Sequence, residues 1–158
     1  MARICRTFLW NAGFKLAPVD TNLFPGGFNN LNPEFLSLSV QAAQVAVEKV
    51  CPEARRLLII PENHTRNTFY LRNVYELSNI MRAAGLDVRI GSISPEITAI
   101  TRLETHDGHS IVLEPVVRDK NRIGLKESTL DGVTYAAFDS CAILLNNDLS
   151  GGIPPILE

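Results

Sequence analysis

Apolar residues recur at helical spacing in two stretches of the chain and alternate or run together in several others. After Asn32, the residues Leu36, Val40, Ala43, Val47 and Val50 fall on one stripe, and Pro52 ends the run. Asn32 can cap this helix, with Pro33 at its first position and Glu34 favourably placed against the helix dipole. A second helix is predicted from Asn67 or Thr68, with Leu71, Val74, Leu77, Met81 and Ala84 on its buried face and Gly85 as its C-terminal cap. Between the helices "RRLLIIPENHTRN" holds a short apolar run ending at Pro61, and "LDVRIGSI" follows the second helix. Strand, helix, strand at this spacing predicts a βαβ unit with parallel strands.

Further on, "ITAITRLETHDGHSIVLEPVV" alternates apolar and polar positions around Asp107-Gly108, a hairpin signal that appends an antiparallel pair. Asp131-Gly132 marks another turn in a less regular stretch. "CAILLNNDLSGGIPPILE" reads as a buried strand, a polar Gly-rich loop and the first residues of a helix. A helix begun at Ile153 or Pro154 has roughly one turn before Glu158, too little to stand alone, so the chain is expected to be the front of a longer protein. The expected fold is α/β, a mainly parallel sheet with flanking helices and an appended hairpin.

Composition narrows the class. With 158 residues, 46% of them hydrophobic and 20% charged, the chain reads as one globular domain. The net charge of -2 comes from scattered residues, and no basic run exists to neutralise a phosphate backbone, so nucleic acid is not expected as a partner. The longest apolar runs are too short to cross a bilayer, so no membrane partner is expected. Cys5, Cys51 and Cys141 fit neither a disulfide framework nor a zinc spacing. A reducing, cytoplasmic location is expected on these grounds.

Candidate chemistry lies in three loops. "KLAPVD" leads into "TNLFPGGFNN", "LLIIP" into "ENHTRN", and "CAILLNN" into "DLSGG". In an open α/β sheet, ligands bind at the carboxyl ends of parallel strands, so three parallel neighbours would bring these loops to one rim. Asp20, Glu62 and Asp148 are charged acceptors suited to an ammonium group or to a metal's water. Arg66 offers a planar fork for a carboxylate or phosphate. Asn22, Asn29, Asn30, Asn63, Asn67 and Asn147 supply donors and acceptors without net charge. Backbone N–H groups at the two helix starts add anion-binding capacity. Such a mixture suits a zwitterion, a small amino acid with one ammonium and one or two carboxylates. No residue set is expected to ligate a metal.

The same residue types also serve local structure. Asn32 reads as a cap rather than a ligand, and Phe24 and Phe28 as anchors of their loop in the core. His106 and His109 flank the hairpin turn and are expected in solvent, and His64 lacks a visible acid–base partner. Ser150 sits in a phosphate-loop-like setting, but no Gly-Lys-Ser/Thr follows it. Cys51, before Pro52, is expected to be inert.

At "NAGFKLAPVDTNLFPGGFNNLNPEFL" the sequence resembles the proteobacterial glutamate–cysteine ligase family. The likeness continues through "CPEARRLLIIPENHTRNTFY", "AGLDVRIGSISPEI", "LEPVVRD" and "ILLNNDLSGGIPPIL", in order, from Asn11 to the end. Residues Met1 to about Trp10, and the region after Asn121 with "KESTLDGVTYAAFDS", depart from the family pattern. The resemblance implies an ATP-dependent ligase of the ATP-grasp type that joins the γ-carboxylate of L-glutamate to the amine of L-cysteine, with magnesium bridging the nucleotide. It implies that residues 11–158 are the N-terminal, substrate-binding part, that the ATP and magnesium site lies largely outside this chain, and that the chain alone does not ligate. A homo-oligomer is compatible with it. A stand-alone binding module for a small amino acid or anion is the alternative, and a degraded, inactive fragment a third.

Overall fold

The computed structural model describes the backbone of residues 6–11, 13, 16–22, 26–147 and 152–158, and the side chains of 13, 26–147 and 152–158. Strands β1 (Arg6–Asn11) and β2 (Leu16–Asn22) pair antiparallel as a two-stranded sheet of their own. A 3-10 turn over Phe28–Asn30 and another over Pro33–Phe35 lead into helix α1 (Leu36–Val50). Strand β3 (Arg56–Pro61), helix α2 (Thr68–Ala83) and strand β4 (Asp87–Ser92) follow. Then come β5 (Thr101–Glu104), β6 (Ser110–Asp119), β7 (Arg122–Leu125), β8 (Ser128–Leu130), β9 (Val133–Tyr135), β10 (Phe138–Asp139) and β11 (Ala142–Asn146).

The main sheet runs β10-β7-β6-β4-β3-β11, with β5 beside β6. Its centre is parallel: β11 with β3, β3 with β4, and β4 with β6. Strand β3 is apolar along nearly its whole length because it is covered on both faces. Leu57 and Ile59 face one side, with Ala43, Leu77, Ile80, Met81 and Val88. Leu58 and Ile60 face the other, with Val116, Leu125 and Phe138. Leu58, Ile59 and Ile60 are completely buried.

The βαβ unit is present as expected. Asn67 caps α2, its Oδ1 accepting from the Tyr70 N–H at 3.0 Å, and Leu71, Val74, Leu77 and Met81 are buried. Gly85 ends the helix at φ 94°, a conformation that costs glycine little. The hairpin at Asp107-Gly108 also forms, but it is more than an appendage. Its second strand, β6, is antiparallel to β5 over Ser110–Leu113 and to β7 over Val116–Asp119, yet parallel to β4 over Leu113–Pro115. Alternation puts Ile111 and Leu113 against Leu71, Val74 and Ile90, which draws the hairpin into the sheet. The second Asp-Gly pair closes the β8–β9 hairpin, with both residues at positive φ as a type I′ turn requires.

Two expectations need correcting. Strand β2, the "KLAPVD" run, is not a neighbour of β3 or β11; it pairs with β1. A short connection lets β1 and β2 close a local hairpin, whereas a place in the parallel sheet would need a crossover of a dozen or more residues. Helix α1 buries less of its stripe than expected. Only Ala43 is fully buried, Val40 and Val47 are half-buried, and Leu36 and Val50 are exposed.

On the Leu58 face, a carboxylate and a guanidinium are buried together. Arg89 Nε meets Glu114 Oε1 at 2.7 Å, and Arg89 Nη2 meets Glu114 Oε2 in a second bond. The guanidinium also lies 5.2 Å from the centre of the Phe138 ring. This fork ties β4 to β6 where Gly91 lets the Val116 and Leu58 side chains close in.

Candidate functional site

Strands β3 and β11 are parallel and in register, with Asn146 opposite Pro61. The two loops that follow them, "ENHTRN" and the one opened by Asn147, therefore start side by side on one edge of the sheet. Of the three loops expected to meet, the structure brings these two together at their origins. Asp20 and Asn22 belong to the two-stranded sheet by their backbone, and their side chains lie outside the described residues, as do all of Asp148, Ser150 and Phe24.

A knot of polar contacts fastens the two strand ends. Asn147 is buried and its Nδ2 donates to the Pro61 carbonyl at 3.0 Å. The Tyr70 hydroxyl, one turn into α2, accepts from the Glu62 N–H at 2.7 Å and hydrogen-bonds the buried Asn146 side chain. Burial pushes the Tyr70 phenol up to about 12; the Glu62 N–H opposes that rise and the Glu62 charge adds to it. The phenol therefore stays neutral and acts as a fixed strut between β3, β11 and α2. His64 packs edge-on to the Tyr70 ring, with centroids 5.3 Å apart.

Around this strut the remaining candidates divide. Asn63 and Arg66 are exposed on the loop from β3 to α2, and Glu62 is half-buried at its start. Asn67 uses its Oδ1 as the helix cap. Asn29 donates from Nδ2 to the Oδ1 of Asn30 at 3.3 Å, so these two first serve each other. Their turn is held against α2 from below. Phe28 packs on the core, as expected, and its N–H donates to the Oδ1 of Asn73 at 2.8 Å. Asn73 is buried, and its Nδ2 has no hydrogen-bond partner among the described residues.

Sequence reading missed Tyr70, Asn73 and Asn146. The signal existed: Asn73 is a polar residue inside the buried stripe of α2, one helical turn from Tyr70. Asn32 caps as expected, but of the 3-10 turn before α1, accepting from the Glu34 N–H at 3.0 Å. At the far hairpin, His106 and His109 are exposed but not simply solvated. They stack on Phe69 and Tyr75 of α2. Cys51 and Cys141 line one apolar groove beside α1.

Chemically, the edge presents an exposed guanidinium, exposed amides and the N-terminus of α2 above an immobile polar floor. That combination can bind and orient a small anion or zwitterion. Among the described residues no group of three His, Cys, Asp or Glu side chains could hold a metal ion. No helix among them is long and apolar enough to cross a membrane.

Comparison with known proteins bears on this edge. The family model described as GshA, glutamate-cysteine ligase, matches residues 4–158, a span that begins ahead of Asn11. The chain is similar to a protein of Methylobacillus flagellatus KT, assigned as a gamma-glutamylcysteine synthetase and solved by crystallography at 1.90 Å. The two share 73% identity with a TM-score of 0.84 over 98% of this chain, which spans 34% of that one. No match is found among curated proteins.

Proposed function

The chain belongs to the glutamate–cysteine ligase family, and from that membership we propose that the longer protein joins the γ-carboxylate of L-glutamate to the amine of L-cysteine at the expense of ATP. The observation that carries this reading is the 73% identity across 98% of the chain. We assign residues 11–158 to the amino-acid-binding part of an enzyme of the ATP-grasp type. The ATP and magnesium site falls to the part of the longer chain that these residues do not span. ATP, when bound there, activates the glutamate carboxylate.

This chain's own contribution is to bind and orient. Arg66, exposed where the loop turns toward α2, offers two parallel N–H bonds to a glutamate carboxylate. The α2 N-terminus reinforces the preference for an anion. Glu62 and Asp148 suit the ammonium, with Asn29, Asn30, Asn63, Asn67 and Asn147 filling the neutral positions, and we assign Asp20 and Asn22, on β2, to the same ligand. The Tyr70–Asn146–Asn147 knot keeps the two strand ends from shifting, and positional precision is what an in-line transfer needs.

The test uses the longer family chain. Arg66→Lys should raise KM for glutamate about 10-fold or more and leave KM for ATP unchanged, since a point charge cannot replace a bidentate fork. Equal losses for both substrates, or none, would remove Arg66 from the carboxylate site. The 158 residues alone should form no γ-glutamylcysteine from glutamate, cysteine and ATP. Product formation by this chain would overturn the division of labour proposed here.

A further inference from the structure

The open side of the sheet lies at β11. Among the described residues this strand pairs with β3 alone, and none of them pairs with the N–H and C=O groups of its other edge. Proteins usually blunt such an edge with a charge, a proline or a bulge. Ala142–Asn146 reads AILLN and has none of these. Beside it runs an apolar groove of about 330 Å³, lined by Val47, Val50, Cys51, Ala142, Ile143 and Leu144 among others. The helix on its far wall is equally bare. Only Glu48 and Lys49 are charged in α1, while Leu36, Leu38, Val45 and Val50 are exposed, as is Ile143 on β11. On the groove side this leaves Val47 and Val50 of α1 facing Ala142, Ile143 and Leu144 with no charged side chain between them, the apolar character of an interface.

The hand of the fold says what should lie there. In the β3–α2–β4 unit, α2 covers the face of Leu57, Ile59 and Val88. The segment after β11 takes the opposite face: Ile156 and Leu157 pack with Leu58 and Ile60. Parallel crossovers are right-handed in nearly every case. With α2 on one face, that hand carries the chain from β3 toward β4. A crossover that leaves β11 on the opposite face keeps the same hand only by moving the other way, outward past β11. The solved relative has chain to supply it, since these residues span 34% of its length.

We propose that the open edge of β11, with the groove between it and α1, receives a further parallel strand from the remainder of the longer family chain. The loop after that strand then starts beside Asn146 and Asn147 and extends the rim. That last step rests on the ligand-site reading above; the docking of the strand does not.

Two cysteines in the groove serve as reporters. Burial would raise the Cys141 thiol, but the N–H groups of Arg56 and Arg55, each 3.3 Å from Sγ, outweigh it and hold the thiol below its usual value. The protein for the test is the longer family chain in which these 158 residues replace the matched part of the Methylobacillus flagellatus protein. Native-state maleimide labelling mapped by mass spectrometry, and amide exchange over 142–146, are read against the same chain in urea. Both Cys51 and Cys141, and the β11 amides that point away from β3, should react at least about 100-fold more slowly in the native chain. Ile143→Lys should restore labelling of the two cysteines while the amides of α2 stay protected. Labelling or exchange at the unfolded rate in the native chain overturns the proposal. So does protection that disappears on dilution, which would place a second copy in the groove. Neither readout requires ligase activity, so an inactive but protected chain would count against the proposed function alone.

Discussion

Replacing Tyr70 by Phe removes one oxygen from the strut under the candidate site and little else. The ring, its burial and its edge contact with His64 remain. The lost hydroxyl accepts from the Glu62 N–H at 2.7 Å and bonds the Asn146 side chain, which is only 5% exposed. A partly buried backbone donor and a buried amide are thus both left short of a partner. Leaving buried polar groups unpaired costs about 1–3 kcal/mol. With a urea m-value of about 2 kcal/mol/M for a domain of this size, the unfolding midpoint should fall by about 0.5–1.5 M with the slope unchanged. The effect should also be local: the Glu62 amide should exchange faster, while amides around Leu77, buried on the same helix, follow only the global change. A midpoint shift below about 0.2 M, or an unaltered Glu62 exchange rate, would refute the strut, because the hydroxyl would then be exchangeable for water at no net loss.

Three other changes probe the frame. Gly91→Ala places a methyl 2.5 Å from Val116 Cγ2 and 3.0 Å from Leu58 Cδ1, and should destabilise by about 1–3 kcal/mol in chemical denaturation. Glu114→Leu strands the Arg89 guanidinium and should cost roughly 3–5 kcal/mol, while adding Arg89→Met should recover most of that; a double variant as unstable as the single one would contradict the pairing. Asp107 is held well below the usual carboxylate range by the Thr105 hydroxyl and by Arg72, each bonding it at 2.6 Å. A depressed folded pKa stabilises fully above the ordinary carboxylate value and loses that contribution as pH falls, so the stability gap between wild type and Asp107→Asn should narrow from about pH 4 downward. A gap that stays constant across that range would argue that the Asp107 contacts do not persist in solution.

Local signals in the sequence determined a good deal about this protein. The cap at Asn67, the stripe from Leu71 to Met81, the stop at Gly85 and both Asp-Gly turns depend on residues a few positions apart, so they stand in the sequence as they stand in the fold. The short apolar run of β3 likewise read as a strand of a parallel βαβ unit. Long phrases from Asn11 to Leu157 carried the family likeness, which no physical pattern could have supplied. Tertiary structure decided what depends on partners distant in the chain. Pairing geometry put β2 with β1 instead of beside β3, and made β6 a parallel neighbour of β4 as well as half of a hairpin. Tyr70, Asn73 and Asn146 became parts of the site only because folding carries α2 over the ends of β3 and β11. The same packing left α1 with one fully buried residue although its apolar stripe is regular. Periodicity records which face of a helix seeks cover, and only the arrangement of the other elements fixes whether cover is there.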